Sequence, residues 1–128
     1  MGQQQLLLIV LGVIVVGIAV VVGINLFNAN AVSSNRDGVV SDLNNLGAMA
    51  QQYYKKPTSM GGGGNTFTSW TLPLELDTTA NGSYTAGLVV GAQSVTIVGL
   101  GNEKNSAGLA IQHTATVSPT SIGVVLTR

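Results

Sequence analysis

Cysteine is missing from this 128-residue chain, which excludes a disulfide frame, a thiol nucleophile and any cysteine-based zinc site. Charge is scarce as well: five Lys plus Arg stand against five Asp plus Glu, 8% of the chain and a formal net charge of zero. An ordinary soluble domain carries about 25% charged residues. A balance this thin supplies neither a basic field for nucleic acid nor an acidic one for cations. The few charges are also unevenly placed. Residues 1–35 hold none, and the first ionised side chain is Arg36. A soluble monomer with a chargeless N-terminal quarter would aggregate, so the solvent of this segment is expected to be a membrane or other copies of the chain.

What fills that quarter is a run of nineteen residues, Leu6 to Ile24, without one polar side chain. Its large members are Leu6, Leu7, Leu8, Ile9, Val10, Leu11, Val13, Ile14, Val15, Val16, Ile18, Val20, Val21, Val22 and Ile24. A bilayer core of ~30 Å needs about 20 apolar residues as helix, so the length suits a span. A helix apolar all round is one surrounded by lipid or by other helices. Gly12, Gly17 and Gly23 interrupt it. Each costs an aqueous helix about 1 kcal/mol relative to Ala, lets a neighbouring helix come close, and marks a place for stretching or melting. A secretory signal fits poorly despite Ala29-Asn-Ala31, because Met1-Gly-Gln-Gln-Gln5 has no Lys or Arg. Leu6 stands where myristoylation at Gly2 requires Ser or Thr. A single-span anchor remains a second reading. Its basic flank is missing, which makes sense if a leader that carried it has been removed.

After a polar stretch, Asn28 to Asp37, read as a short break, Val39, Leu43, Leu46, Ala50 and Tyr53 follow at spacings of 4, 3, 4 and 3. This is the stripe of an amphipathic helix that packs on something apolar. Lys55 and Lys56 suit the end of a helix dipole, and Pro57 stops the helix. Joined without a break, the two pieces make about 54 residues and ~80 Å of helix.

Residues 57–65, with four consecutive glycines, read as a hinge or loop. The period then becomes alternating, with candidate strands at Phe67–Leu72, Ala86–Val90, Ser94–Val98, Gly108–Val117 and Ser121–Thr127. Turn signals lie at Thr79–Ser83, Gly91–Ala92, Gly99–Ser106 and Ser118–Pro119. The short spacing predicts antiparallel hairpins, and no helical pattern separates the strands. The fold class is therefore α+β: a long N-terminal α-helix whose C-terminal half packs on a small antiparallel β-sheet. The division is 1–56 for the helix, with 1–27 its apolar part and 28–56 its amphipathic part, and 57–128 for the β-rich domain.

The catalytic and ligand-binding patterns are weak. Gly99-Leu-Gly101 is followed by Lys104 and no helix, so it reads as a turn. His113, the single histidine, falls on the apolar face of its strand and reads as a satisfied or interface side chain. Glu75 and Asp77 are two carboxylates where calcium needs six or more oxygens. No Ser, His and Asp grouping follows from the spacing, and no cofactor, metal or enzymatic activity is implied. Asn81-Gly82-Ser83 is both an ordinary turn and a glycosylation acceptor at Asn81. Only Phe27 among the six aromatics belongs to the apolar helix region, which argues against a stack for electron transfer.

An apolar helix, its amphipathic continuation, a loop and a small sheet together resemble a type IV pilin or pilin-like filament subunit. The resemblance implies a basic leader cut by a prepilin peptidase, leaving Met1 to begin the mature chain. It implies residence in the inner membrane, then extraction by pilus assembly machinery into a helical homo-oligomer at the cell surface, serving adhesion, surface attachment or motility. The related alternative is a membrane-anchored pseudopilin or single-span protein with a β ectodomain. Gln5 stands where many bacterial members have glutamate, and the C-terminal cysteine pair of many members is missing. Met1, Gln3, Gln4 and Gln5 would then make polar contacts between subunits, and a neutral amide does so with less charge assistance than a carboxylate.

Overall fold

The computed structural model describes residues 2–85 and 87–128. By packing the chain divides into two units, residues 1–31 and 32–128. One helix, α1 (Gly2–Lys55, 54 residues), contributes to both. In the first unit its residues are exposed throughout the described part up to Asn30, as an all-apolar helix without a partner must be.

In the second unit, α1 buries Val39, Leu43, Leu46, Gly47 and Ala50 against the sheet. The polar stretch Asn28 to Asp37 is helical without interruption. Its polar side chains do not signal a break, because Asn35 is spent on tertiary contacts: its Nδ2 donates to the Asn81 carbonyl (2.7 Å), and its Oδ1 accepts from the Glu103 N–H (3.1 Å). The helix stops at Lys55, two residues before Pro57. The glycine-rich segment then folds back as a cap. The N–H groups of Gly63 and Asn65 donate to the carbonyls of Tyr53 and Tyr54, each at 2.8 Å, and satisfy the orphan acceptors of the last turn. Gly63 is buried with no room for a Cβ against the Thr66 carbonyl, so this is a fixed closure of the helix end and not the free hinge its composition suggests.

A 3-10 turn (Thr58–Met60) and a four-residue helix, α2 (Leu74–Asp77), precede the strands β1 (Gly82–Ser83), β2 (Val89–Val90), β3 (Val95–Lys104), β4 (Ala110–Val117) and β5 (Ile122–Leu126). All pairings are antiparallel. β3 carries β1 and β2 on one edge and β4 on the other, and β5 lies outside β4. The fold is thus α+β, a long helix on a five-stranded antiparallel sheet.

Three strand expectations change. Phe67–Leu72 forms no strand: Trp70 N–H donates to the Phe67 carbonyl (2.9 Å) and Ser69 takes a left-handed φ of 70°, a turn that sends both rings into the core. The Ala86–Val90 strand is reduced to β2, with Ala86 itself outside the described residues. The Gly99–Ser106 turn is largely strand, since β3 runs on to Lys104 and the turn is confined to the residues after it.

Inward positions alternate along the ladder. Val95, Ile97, Gly99 and Gly101 of β3 and Ile111, His113, Ala115 and Val117 of β4 are buried, while Thr96, Val98, Gln112 and Thr114 between them are half-buried. The register pairs Val95 with Val117, Ile97 with Ala115 and Gly99 with His113. Phe67, Trp70 and Tyr84 complete the core between helix and sheet.

Candidate functional site

The chemical anomaly of the molecule is in its first unit. From Leu6 to Ile24 every large aliphatic side chain is 53–68% exposed, a continuous apolar surface left uncovered among the described residues. Fully burying such a side chain is worth about 1.5–3 kcal/mol, so water is an untenable medium for so many at once. α1 is long and apolar enough near the N-terminus to cross a membrane. Gly12, Gly17 and Gly23 have open space around them, where a second helix would find backbone at close range. Gln3, Gln4 and Gln5 lie exposed in the first turns of α1, and Met1 falls outside the described residues.

The second unit holds its polar chemistry in a latch between helix and sheet. Asn35, Gly38 and Asp42 recur at three- and four-residue spacing, so they share one face of α1. Asn81 lies against all three. Its carbonyl accepts from Asn35, its side chain fills the space where a Cβ on Gly38 would stand, and its Nδ2 donates to Asp42 Oδ2 (3.1 Å). The same carboxylate oxygen accepts from Thr79 Oγ1 (2.7 Å) and from the hydroxyl of fully buried Tyr84. Burial alone would raise the Asp42 carboxyl, but the donors Tyr84, Thr79 and Asn81 outweigh it and hold it below the ordinary carboxylate value. Burial, and then the bond to Asp42, push the Tyr84 phenol well above its usual range. The Asn81 amide that would carry a sugar is therefore a member of this latch, half-buried and already engaged.

Near the other end of the unit's helix–sheet contact, Gln51 Nε2 donates to the Ser118 carbonyl (3.0 Å), and the Tyr53 hydroxyl donates to the Thr68 carbonyl (2.8 Å). Val39, Leu43, Leu46 and Ala50 are buried and Tyr53 is half-buried. His113 is only 6% exposed, but among the described residues its Nδ1 has no hydrogen-bond partner, nor does the buried Nε of Arg36. Burial and then the Arg36 charge push the imidazole below its usual value, which makes it a neutral core side chain. Among the described residues no three His, Asp or Glu side chains gather as a metal-ligating group.

The latch is what the sequence pattern left unread. Asp42, Asn35 and Tyr84 look like ordinary surface and strand residues one at a time. The signal that would have found them is the pairing of two polar residues seven apart with a glycine between, on a face adjoining the apolar stripe. A scan against family models, a search of curated proteins and a search of solved structures each return no match.

Proposed function

We propose that the chain is a structural subunit of the type IV pilin kind, held in a membrane by the apolar part of α1 before assembly and polymerised through that same surface into a filament outside the cell. The observation that carries this reading is the unpartnered apolar helix of residues 6–24, joined to a folded α+β unit that has its own core. Once the helix leaves lipid, identical helices are the simplest partner of matching chemistry. Gln3, Gln4 and Gln5 would pair their amides between neighbours in that dry environment, where an unmatched polar group is costly. A prepilin peptidase and an assembly machinery are the partners this reading requires, and adhesion, surface attachment or motility are the tasks such a filament serves. No enzymatic step is assigned to it.

The same exposed helix suits a permanent single-span anchor carrying a β ectodomain, and one experiment separates the two. Surface material is sheared from cells producing the chain and viewed by electron microscopy, with the chain identified by immunolabelling. Long labelled fibres are expected. Recovery of the chain only from detergent-solubilised membrane, with no labelled fibre, favours the anchor and overturns the filament.

A further inference from the structure

The outer edge of the sheet is unguarded. β5 pairs with β4 and with no other described strand, and the register sets Thr114 opposite Val125 and Thr116 opposite Gly123. Ser118 N–H donates to the Ser121 carbonyl and Thr127 N–H to the Gln112 carbonyl, each at 2.8 Å. The antiparallel ladder alternates, so residues 121, 123, 125 and 127 face β4 with their backbone groups. Ile122, Val124 and Leu126 direct theirs away from it, to the side on which no described strand pairs. Proteins protect such an edge with Lys, Pro, a bulge or a covering loop. Ile122–Leu126 has no charge and no Pro, and its pairing with β4 has no register shift. The opposite side of the sheet is treated differently, since two short strands, β1 and β2, cover that edge of β3.

We propose that β5 is a contact surface for a second copy of this chain, the two β5 strands pairing antiparallel about a two-fold axis at Val124. That register places Ile122 opposite the second Leu126 and lets the outward backbone groups exchange hydrogen bonds. On the outer face it sets Gly123 opposite the second Val125. Val125 is 66% exposed and Gly123 has open space where a Cβ would stand, so the large and small residues complement each other across the axis. Charge does not oppose the approach: β5 is neutral, and the part of α1 packed beside it, where Gly47 meets Ile122, has no charged residue between Asp42 and Lys55. The inference goes beyond the filament reading and does not require it.

The chain has no native cysteine, which makes the test direct. Directly opposed residues that are not hydrogen-bonded to each other lie ~4.5 Å apart at Cα, within disulfide range. Full-length Gly123→Cys and Val125→Cys are purified in detergent, mixed and oxidised. The mixture is expected to give a disulfide dimer at least about tenfold faster than either variant alone, the order of gain when a defined encounter replaces random collision. Val124→Pro in both variants removes the central intermolecular N–H donor and leaves the β4–β5 ladder its own bonds, and is expected to abolish the gain. Val125→Lys, whose side chain lies outside the core, is expected to weaken association measured by sedimentation even if the proline variant unfolds. Equal rates in the mixture and in the single variants overturn the proposal, as does a link that survives Val124→Pro in folded protein. So does a link that forms only to an added extended peptide. Fibres scored separately by microscopy keep the two readings apart: fibres without the 123–125 link sink this inference alone, and the link without fibres sinks only the filament.

Discussion

Asp42 is half-exposed, and at the scale of single residues it is nevertheless the polar centre of the helix–sheet attachment, because three donors from the β1 region converge on one of its oxygens. Tyr84→Phe keeps the ring in the core and deletes the buried hydroxyl. A hydrogen bond to a charged group contributes roughly 1.5–3 kcal/mol, so a thermal or denaturant melt is expected to show a loss of that order. In an Asp42→Asn background the same change is expected to cost much less, since the two residues share one bond. The pH dependence has a definite sign. Asp42 is lowered when folded, so its contribution is complete above the ordinary value of 3.8 and disappears as pH falls through the lower folded value. His113 is lowered from 6.5, so stability falls as pH drops below 6.5 toward the folded value, where the unfolded chain takes the proton first. His113→Leu removes the unpartnered Nδ1 and the repulsion from Arg36. Melting curves between pH 7.5 and pH 4 are expected to lose the part of their slope that begins near 6.5 in this variant; an unchanged slope there would show that another group is responsible.

Elements show where pattern reading succeeds and where it stops. The apolar run and the stripe at Val39, Leu43, Leu46 and Ala50 are legible because one physical demand, burial, acts at every position and leaves a period behind. β3 is harder, because Gly99 and Gly101 resemble a turn. They are inward positions of a strand kept small by what meets them: a Cβ at 99 would stand 2.9 Å from Val39 and 3.0 Å from the Tyr84 ring, and one at 101 would run into Asn35 and Ile111. Glycine marks close approach as well as turning, and sequence alone does not separate the two uses. The latch was illegible for a related reason, as its members come from residues 35 to 84 and meet only in three dimensions. The two kinds of glycine predict opposite outcomes. Gly101→Val is expected to cost about 1–3 kcal/mol through overpacking, read as a lower melting midpoint. Gly17→Ala meets nothing and is expected to raise helix stability by about 1 kcal/mol in detergent. If helices pack through Gly17 in a filament, fibre yield falls in that variant while helicity by circular dichroism rises.

For the whole molecule, the placement of charge is the connecting principle. All ten charged residues lie from Arg36 onward, in the unit that folds around its own core, and none lies in the unit that has no core. If the proposed filament forms, solubility and assembly fall to different parts of one chain, and a single charge in the wrong part should separate them. Ile14 is 53% exposed in the middle of the apolar run. Ile14→Glu places a carboxylate where a charged residue costs an inserted helix on the order of 2.5–3.5 kcal/mol, and no side chain of residues 1–35 carries a charge to offset it. Membrane retention and fibre yield are both expected to fall. The melt of the second unit should stay as in the parent chain, because Ile14 is not one of the residues of its core. Fractionation of cells, microscopy of sheared material and a thermal melt of the purified variant read the three quantities separately. Fibres at parental yield would mean that the apolar surface is not what holds subunits together. A lowered melt would mean that the two units are coupled, and the division of labour written in the charge distribution would fail with it.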